Sequence, residues 1–231
     1  LKLSFGTLSS ALPIILIAGA FITCTADFSS ARQTSSVEEV TSLSPEDLLT
    51  LAIESCQKLD AYQCRLTLHL TKGDQTQDSQ YVFSYKKPNL IRMHVEGGKD
   101  RGSTVIFRRD GCIRGRREGL LSFFAVTLKP DDHRLYDLWG RSFVNSDWVT
   151  LLAETKDRAK DASATEVKIM DGGKRILIEA QGDGFVEQTL LDAGRMVLLE
   201  KRSQRDNGDR LQAVWSDISL NPILQDGFFY F

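Results

Sequence analysis

The sequence predicts an α+β domain, a strongly curved antiparallel sheet of about ten or eleven strands whose hollow is plugged by two helices. Three observations carry that prediction. Two stretches, within residues 44–59 and 145–162, repeat apolar residues at helical spacing. The residues after the first stretch alternate apolar and polar with a period of two. The final third is punctuated by Asp171-Gly172-Gly173, Gly182-Asp183-Gly184, Asp192-Ala193-Gly194 and Asp206-Asn207-Gly208, each a tight-turn signal with a strand-length run between it and the next.

The chain has 231 residues, 42% hydrophobic and 26% charged, enough for one sizeable core. The formal net charge is -2, and no zinc-finger, helix-turn-helix or RNA-binding pattern is present, which points away from nucleic acid as a partner. Between Lys2 and Asp27 there is no charge, and the apolar run ALPIILIAGAFIT precedes the small residues Thr23, Cys24, Thr25 and Ala26. Residues 1–26 therefore read as an export signal or lipoprotein signal. Two processing routes stand open: lipidation of Cys24, or cleavage after Ala26 or Ala31. Residues 27–43 are rich in Ser, Thr and Glu and poor in large apolar side chains, so they read as a flexible tether before a domain at 44–231.

The domain starts on a helix. Ser44 is placed to cap it, Pro45 takes the first helical position, and Glu46 and Asp47 face the positive end of the dipole. Leu48, Leu49, Ala52, Ile53, Cys56 and Leu59 then make an apolar side to lie on a sheet. Leu66, Leu68 and Leu70 alternate with Arg65, Thr67 and His69 in a first strand that turns at Lys72-Gly73-Asp74. Tyr81, Phe83 and Tyr85 share one face of the next, and after Lys86-Lys87-Pro88-Asn89 so do Ile91, Met93 and Val95. Val105 and Phe107 suggest a fourth strand, with Asp110-Gly111 turning into a fifth at Cys112-Ile113-Arg114. The run GLLSFFAVTLKP ends at Pro130. A second helix begins near Asn145 or Ser146 as cap and carries Trp148, Leu151 and Leu152 on one face.

One run resembles a known family. Phe83-Ser84-Tyr85-Lys86-Lys87-Pro88-Asn89-Leu90-Ile91-Arg92-Met93-His94 looks like the segment of periplasmic outer-membrane lipoprotein carriers in which an aromatic strand meets a basic residue, Pro and Asn. The stretch GFVEQTLLDAGRMVLLEKRS, with Asn221, Pro222 and the closing FFYF, is similar to that family's last hairpins and terminal strand. The resemblance to this LolA/LolB-like superfamily implies an incomplete β-barrel around an apolar cavity for acyl chains, with a lipid or acylated protein as partner and the periplasm, or a membrane anchor facing it, as location. A monomer is expected. Where the carriers have an Arg before the Pro that bonds to a lid, this chain has Lys87, which keeps the charge and loses the forked geometry.

Candidate site residues follow. The stripe of Tyr81, Phe83 and Tyr85 fits two readings, packed core beneath the first helix or wall of an open trough. On the second reading Met93, Val95, Phe107, Phe123 and Phe124 join it. Lys87 is the lid candidate. Arg114, Arg116 and Arg117 are candidates for contact with an anionic surface such as a membrane, against the alternative of a solvated hairpin. Cys56 and Cys64 either pair or stay buried thiols, and they show no metal-ligand spacing. With three histidines and no GxSxG, HExxH or phosphate loop, the sequence points away from an enzyme and calls for no cofactor. Two functions remain: a carrier of an apolar ligand, or an envelope sensor or interaction module of the same fold.

Overall fold

Residues 42–119 and 124–231 are described in a computed structural model of the chain; the expected export signal with Cys24, nearly all of the expected tether, and Phe123 lie outside them. The first helix, α1, spans Pro45–Lys58. It starts where Ser44 Oγ accepts the Asp47 N–H at 3.1 Å, satisfying one of the free donors of the first turn. It buries Leu48, Leu49, Ala52 and Cys56 along one side.

Six strands follow as a meander: β1 (Ala61–Lys72), β2 (Gln75–Lys86), β3 (Leu90–Gly97), β4 (Ser103–Phe107), β5 (Ile113–Arg117) and β6 (Val126–Leu128). A segment with two short 3-10 turns, His133–Leu135 and Phe143–Asn145, leads to α2 (Trp148–Asp161). Its cap is Asp147, whose carboxylate accepts the Thr150 N–H at 3.0 Å, rather than Asn145 or Ser146. Ser146 is unsuited because its hydroxyl is turned back to the Phe143 carbonyl. A second meander closes the domain: β7 (Ala164–Met170), β8 (Arg175–Gly182), β9 (Phe185–Asp192), β10 (Val197–Arg205) and β11 (Arg210–Leu220).

The eleven strands form one open antiparallel sheet in the order β6-β5-β4-β3-β2-β1-β11-β10-β9-β8-β7, an incomplete barrel with two helices, as the sequence predicts. The two meanders are joined by β1 and β11, in register at Leu66↔Trp215 and Leu68↔Ala213. Strand alternation sends one set of side chains to the face that the helices cover, here the inner face. There Leu48, Leu49 and Ala52 of α1 and Trp148, Leu151 and Leu152 of α2 share one core with Tyr62, Cys64 and Leu70 of β1, Ile176 of β8 and Leu191 of β9. Each of the large apolar side chains among them contributes roughly 1.5–3 kcal/mol. Cys56 and Cys64 are buried free thiols, pushed up to about 12 by their burial.

Where α2 crosses the second meander the inner face is polar. Glu187 of β9 and Lys201 of β10 are each 2% exposed, with Lys201 Nζ 2.9 Å from Glu187 Oε1. This is a close ion pair whose angle falls short of a hydrogen bond, since Oε1 has no hydrogen-bond partner. From α2, Arg158 Nη1 reaches Glu187 Oε2 at 2.5 Å and Thr155 Oγ1 meets Lys201 Nζ; Ser203 Oγ donates to Glu187 Oε2 at 3.1 Å. Burial pushes the Glu187 carboxyl up, but Lys201 and Arg158 outweigh it and hold the group below its ordinary value. Burial lowers the Lys201 ammonium, with Glu187 opposing.

The closing FFYF is not a strand. β11 ends at Leu220; the next residue, Asn221, takes a left-handed φ of 50° while its side chain accepts the Asp60 N–H at 2.8 Å, and Pro222 has no N–H to continue a ladder. The tail then crosses to the outer face of β3–β5. Phe229 is fully buried there with Leu90 and Ile106. Lys86 Nζ holds Leu224 O and Asp226 Oδ1, both at 2.6 Å, and Arg92 Nη1 donates to Phe228 O at 3.0 Å.

Candidate functional site

The inner face is not covered evenly. Beyond α1 and α2, the faces of β1–β6 and β11 leave a trough of about 1510 Å³. Its floor is built from alternate residues of neighbouring strands: Leu66 and Leu68 of β1, Tyr81 of β2, Met93 and Val95 of β3, Val105 of β4. Trp215 and Ala213 of β11 continue it on one side and Leu128 of β6 on the other. Gly115 contributes by having no side chain, since a Cβ there stands 3.2 Å from Leu128 Cδ1. The volume exceeds the roughly 300–1,000 Å³ of pockets that enclose drug-sized ligands, which suits a long or branched apolar molecule.

One wall comes from residues 129–147, a stretch without strand or helix period. Leu135 and Phe143 turn inward and are buried, which anchors it to the core. The rest is tied to the end of the β1–β2 hairpin: Trp139 Nε1 donates to Thr71 O at 3.0 Å, and Leu138 N donates to Gln77 Oε1 at 2.9 Å. Asp137 organises the bend, accepting from the N–H groups of Trp139 and Arg141, both at 2.9 Å, and pairing with the Arg141 guanidinium. Arg205 lies 4.5 Å from the Trp139 ring centroid on its other side. Lys99, Asp100, Arg117, His133 and Glu154 stand around the rim, so the opening is polar and the floor apolar.

The aromatic stripe of β2 divides between two surroundings. Tyr81 lines the trough together with Met93 and Val95. Burial raises its phenol above the ordinary value, so it stays protonated at neutral pH. Phe83 lies in the packed core and Tyr85, half-buried, packs against it, with ring centroids 5.8 and 5.2 Å from Tyr62. Tyr62 is stacked at 3.9 Å on Trp148, and the backbone N–H of Trp148 donates to the Tyr62 hydroxyl at 3.0 Å. Phe107 packs against the same core outside the trough wall, and Phe124 stands at the lip, 70% exposed. Lys87 sits at the opposite end of β2, where its Nζ is 3.8 Å from Asp60 Oδ1 and away from the trough.

The three arginines do not share a face. Pairing of Val105 with Gly115 and of Ser103 with Arg117 puts Arg117 on the inner side, at the rim. Arg114 and Arg116 point outward, Arg114 donating to Ala125 O at 3.3 Å and Arg116 lying 4.5 Å from the Phe231 ring centroid. Sequence reasoning missed Trp215, Leu135 and Phe143. The alternation of Leu211, Ala213 and Trp215 carries a signal for the first, whereas the other two have no periodic signature. Among the described residues no group of His, Cys, Asp and Glu is placed to hold a metal ion.

No protein-family model matches the sequence, and no curated protein is significantly similar to it. In solved structures the chain is similar to a LolA superfamily protein of Nitrosomonas europaea (11% identity, TM-score 0.45), with 81% of this chain and 98% of that one covered. It is also similar to a putative outer membrane lipoprotein-sorting protein domain of Vibrio parahaemolyticus (8% identity, TM-score 0.42, coverage 80% and 95%). An uncharacterized conserved protein of Thermus thermophilus gives 7% identity and a TM-score of 0.48, with coverage of 79% and 91%.

Proposed function

We propose that this is an exported protein of the cell envelope that holds an apolar chain, a lipid or the acyl group of a lipoprotein, in the trough on the inner face of its sheet. The observation that carries this is the trough itself: about 1510 Å³ floored by apolar side chains from successive strands and entered past a polar rim. Such a surface leaves apolar area in contact with water at about 25 cal/mol per Å², a cost that an acyl chain removes on entering. The uncharged N-terminal run supports export. Lys87, standing where the carriers have an Arg, favours a relative of that fold over the carrier itself. Catalysis has no support from the groups present, whose histidines lie on the outer face or the rim.

Binding of a fluorescent fatty acid tests the reading. Wild type is expected to take up the probe, and Met93→Trp with Val105→Trp, which fill the floor, to weaken uptake by about tenfold or more while leaving the unfolding midpoint close to wild type. Mass spectrometry of material extracted under denaturing conditions from protein purified from its own envelope then identifies the ligand. Failure of wild type to bind the probe, together with an extract free of lipid, would refute the proposal.

A further inference from the structure

The outer face carries a second surface, which meets the edge of the trough at Arg116. Five arginines, Arg92, Arg108, Arg109, Arg114 and Arg116, come from β3, β5 and the β4–β5 turn. The carboxylates nearby are engaged: Asp110 with Arg108 at 3.2 Å, Asp226 with Lys86 at 2.6 Å, Glu96 with Arg65 at 3.5 Å, and Glu118 4.0 Å from His94 at the edge of the cluster. Like charges are crowded, since burial first and Arg116 second lower the Arg92 guanidinium. Lys86 first and Arg109 further out hold the Asp226 carboxyl down, which places Arg109 beside the tail. Buried Nε atoms of Arg108 and Arg114 find no hydrogen-bond acceptor in the protein.

Aromatic rings are threaded through this charge. Arg92 lies 4.6 Å from the Phe228 ring centroid, and Arg108 lies 4.5 Å from that of Tyr230, as Arg116 does from Phe231. Tyr230 is 43% exposed, Phe231 36% and Ile223 97%. Guanidinium groups stacked on half-exposed rings, in a tail that also carries an exposed aliphatic side chain, match the bilayer interface, where rings and aliphatic groups sit among the glycerol backbones and arginines reach phosphates. We propose that the outer face of β3–β5 with the tail at 222–231 is a docking surface for an anionic lipid bilayer. The excess of unpaired positive charge selects the anionic leaflet, and Phe229, locked between Leu90 and Ile106, fixes the tail so that its exposed residues are presented together.

Sedimentation of the full chain with neutral phosphatidylcholine vesicles and with vesicles containing phosphatidylglycerol tests this. The readout is the preference for the anionic vesicles, which removes any common contribution of the apolar N-terminal run. Wild type should show a clear preference that vanishes at about 1 M salt, where the screening length falls to about 3 Å. Arg109→Gln with Arg114→Gln should cut it by about ten- to thirtyfold. Ile223→Asp, at an exposed position that a folded chain tolerates, should weaken anionic binding as well, whereas Lys160→Gln with Lys168→Gln on other elements should leave it unchanged. Equal binding to both vesicles, no effect of the arginine pair, or an equal effect of the lysine pair would overturn the proposal.

Discussion

Phe83 and Tyr81 stand two residues apart on one strand face and meet different surroundings. Phe83 is 1% exposed and stacked with Tyr62, so Phe83→Ala leaves a cavity and is expected to cost about 3–5 kcal/mol in a denaturant titration. Met93, opposite Phe83 across β2–β3, already faces the trough, so Met93→Ala should cost only about 1–2 kcal/mol. Equal losses would mean that the trough is filled by the protein itself. The shared face of this stripe was legible from alternation; where along it the core stops was not, because that depends on how far the helices reach. Arg114, Arg116 and Arg117 teach the converse. The period of two already places Arg117 on the opposite face from the other two, and reading them as one cluster overlooked it.

Among elements, the helices and hairpins announce themselves through caps and Gly turns, whereas residues 129–147 do not. That stretch is held by single contacts, such as Trp139 to Thr71 and Asp137 to its own bend, which leave no periodic trace in sequence. The docking of α2 was equally hidden, since Glu187 and Lys201 look like surface residues until pairing turns them inward. Lys201→Met is expected to cost about 3 kcal/mol or more by leaving Glu187 buried beside Arg158 alone. Lys201→Met with Glu187→Leu should recover most of that loss, because apolar groups replace both charges. Thermal midpoints across pH provide a second check. The depressed carboxyl of Glu187 contributes stability that is complete above the unfolded value of about 4.3 and is lost as pH falls through the folded value below it. Wild type should therefore lose stability in acid more steeply than the double variant. Lys201, lowered on folding, gives no loss of stability as pH rises through its folded value.

At the scale of the whole molecule, the sheet ends in two unlike edges. β6 has three residues, while β7 is longer and largely exposed, with Lys168 Nζ 2.9 Å from Glu166 Oε2 along it. Short length on one edge and charge on the other discourage pairing with a second copy. Amide exchange should follow this geometry: slowest in β1 and β11 at the centre of the order, fastest in β6 and β7. Uniform protection across the sheet would show that it opens only as a whole. The strand count and the antiparallel meanders were readable from turn signals. The pairing of β1 with β11 was not, since no local pattern records which distant strand a strand will meet.

That central pairing has a consequence in time. β1 is among the first strands to leave the ribosome and β11 the last, so β1 waits with one backbone edge bare until nearly the whole domain has emerged. Contacts of such high order make for folding in milliseconds to seconds rather than microseconds. Through that interval the row of Leu66, Leu68 and Leu70 lies beside an open ladder, the arrangement most prone to capture by another chain. The last strand made therefore closes the edge left open by the first.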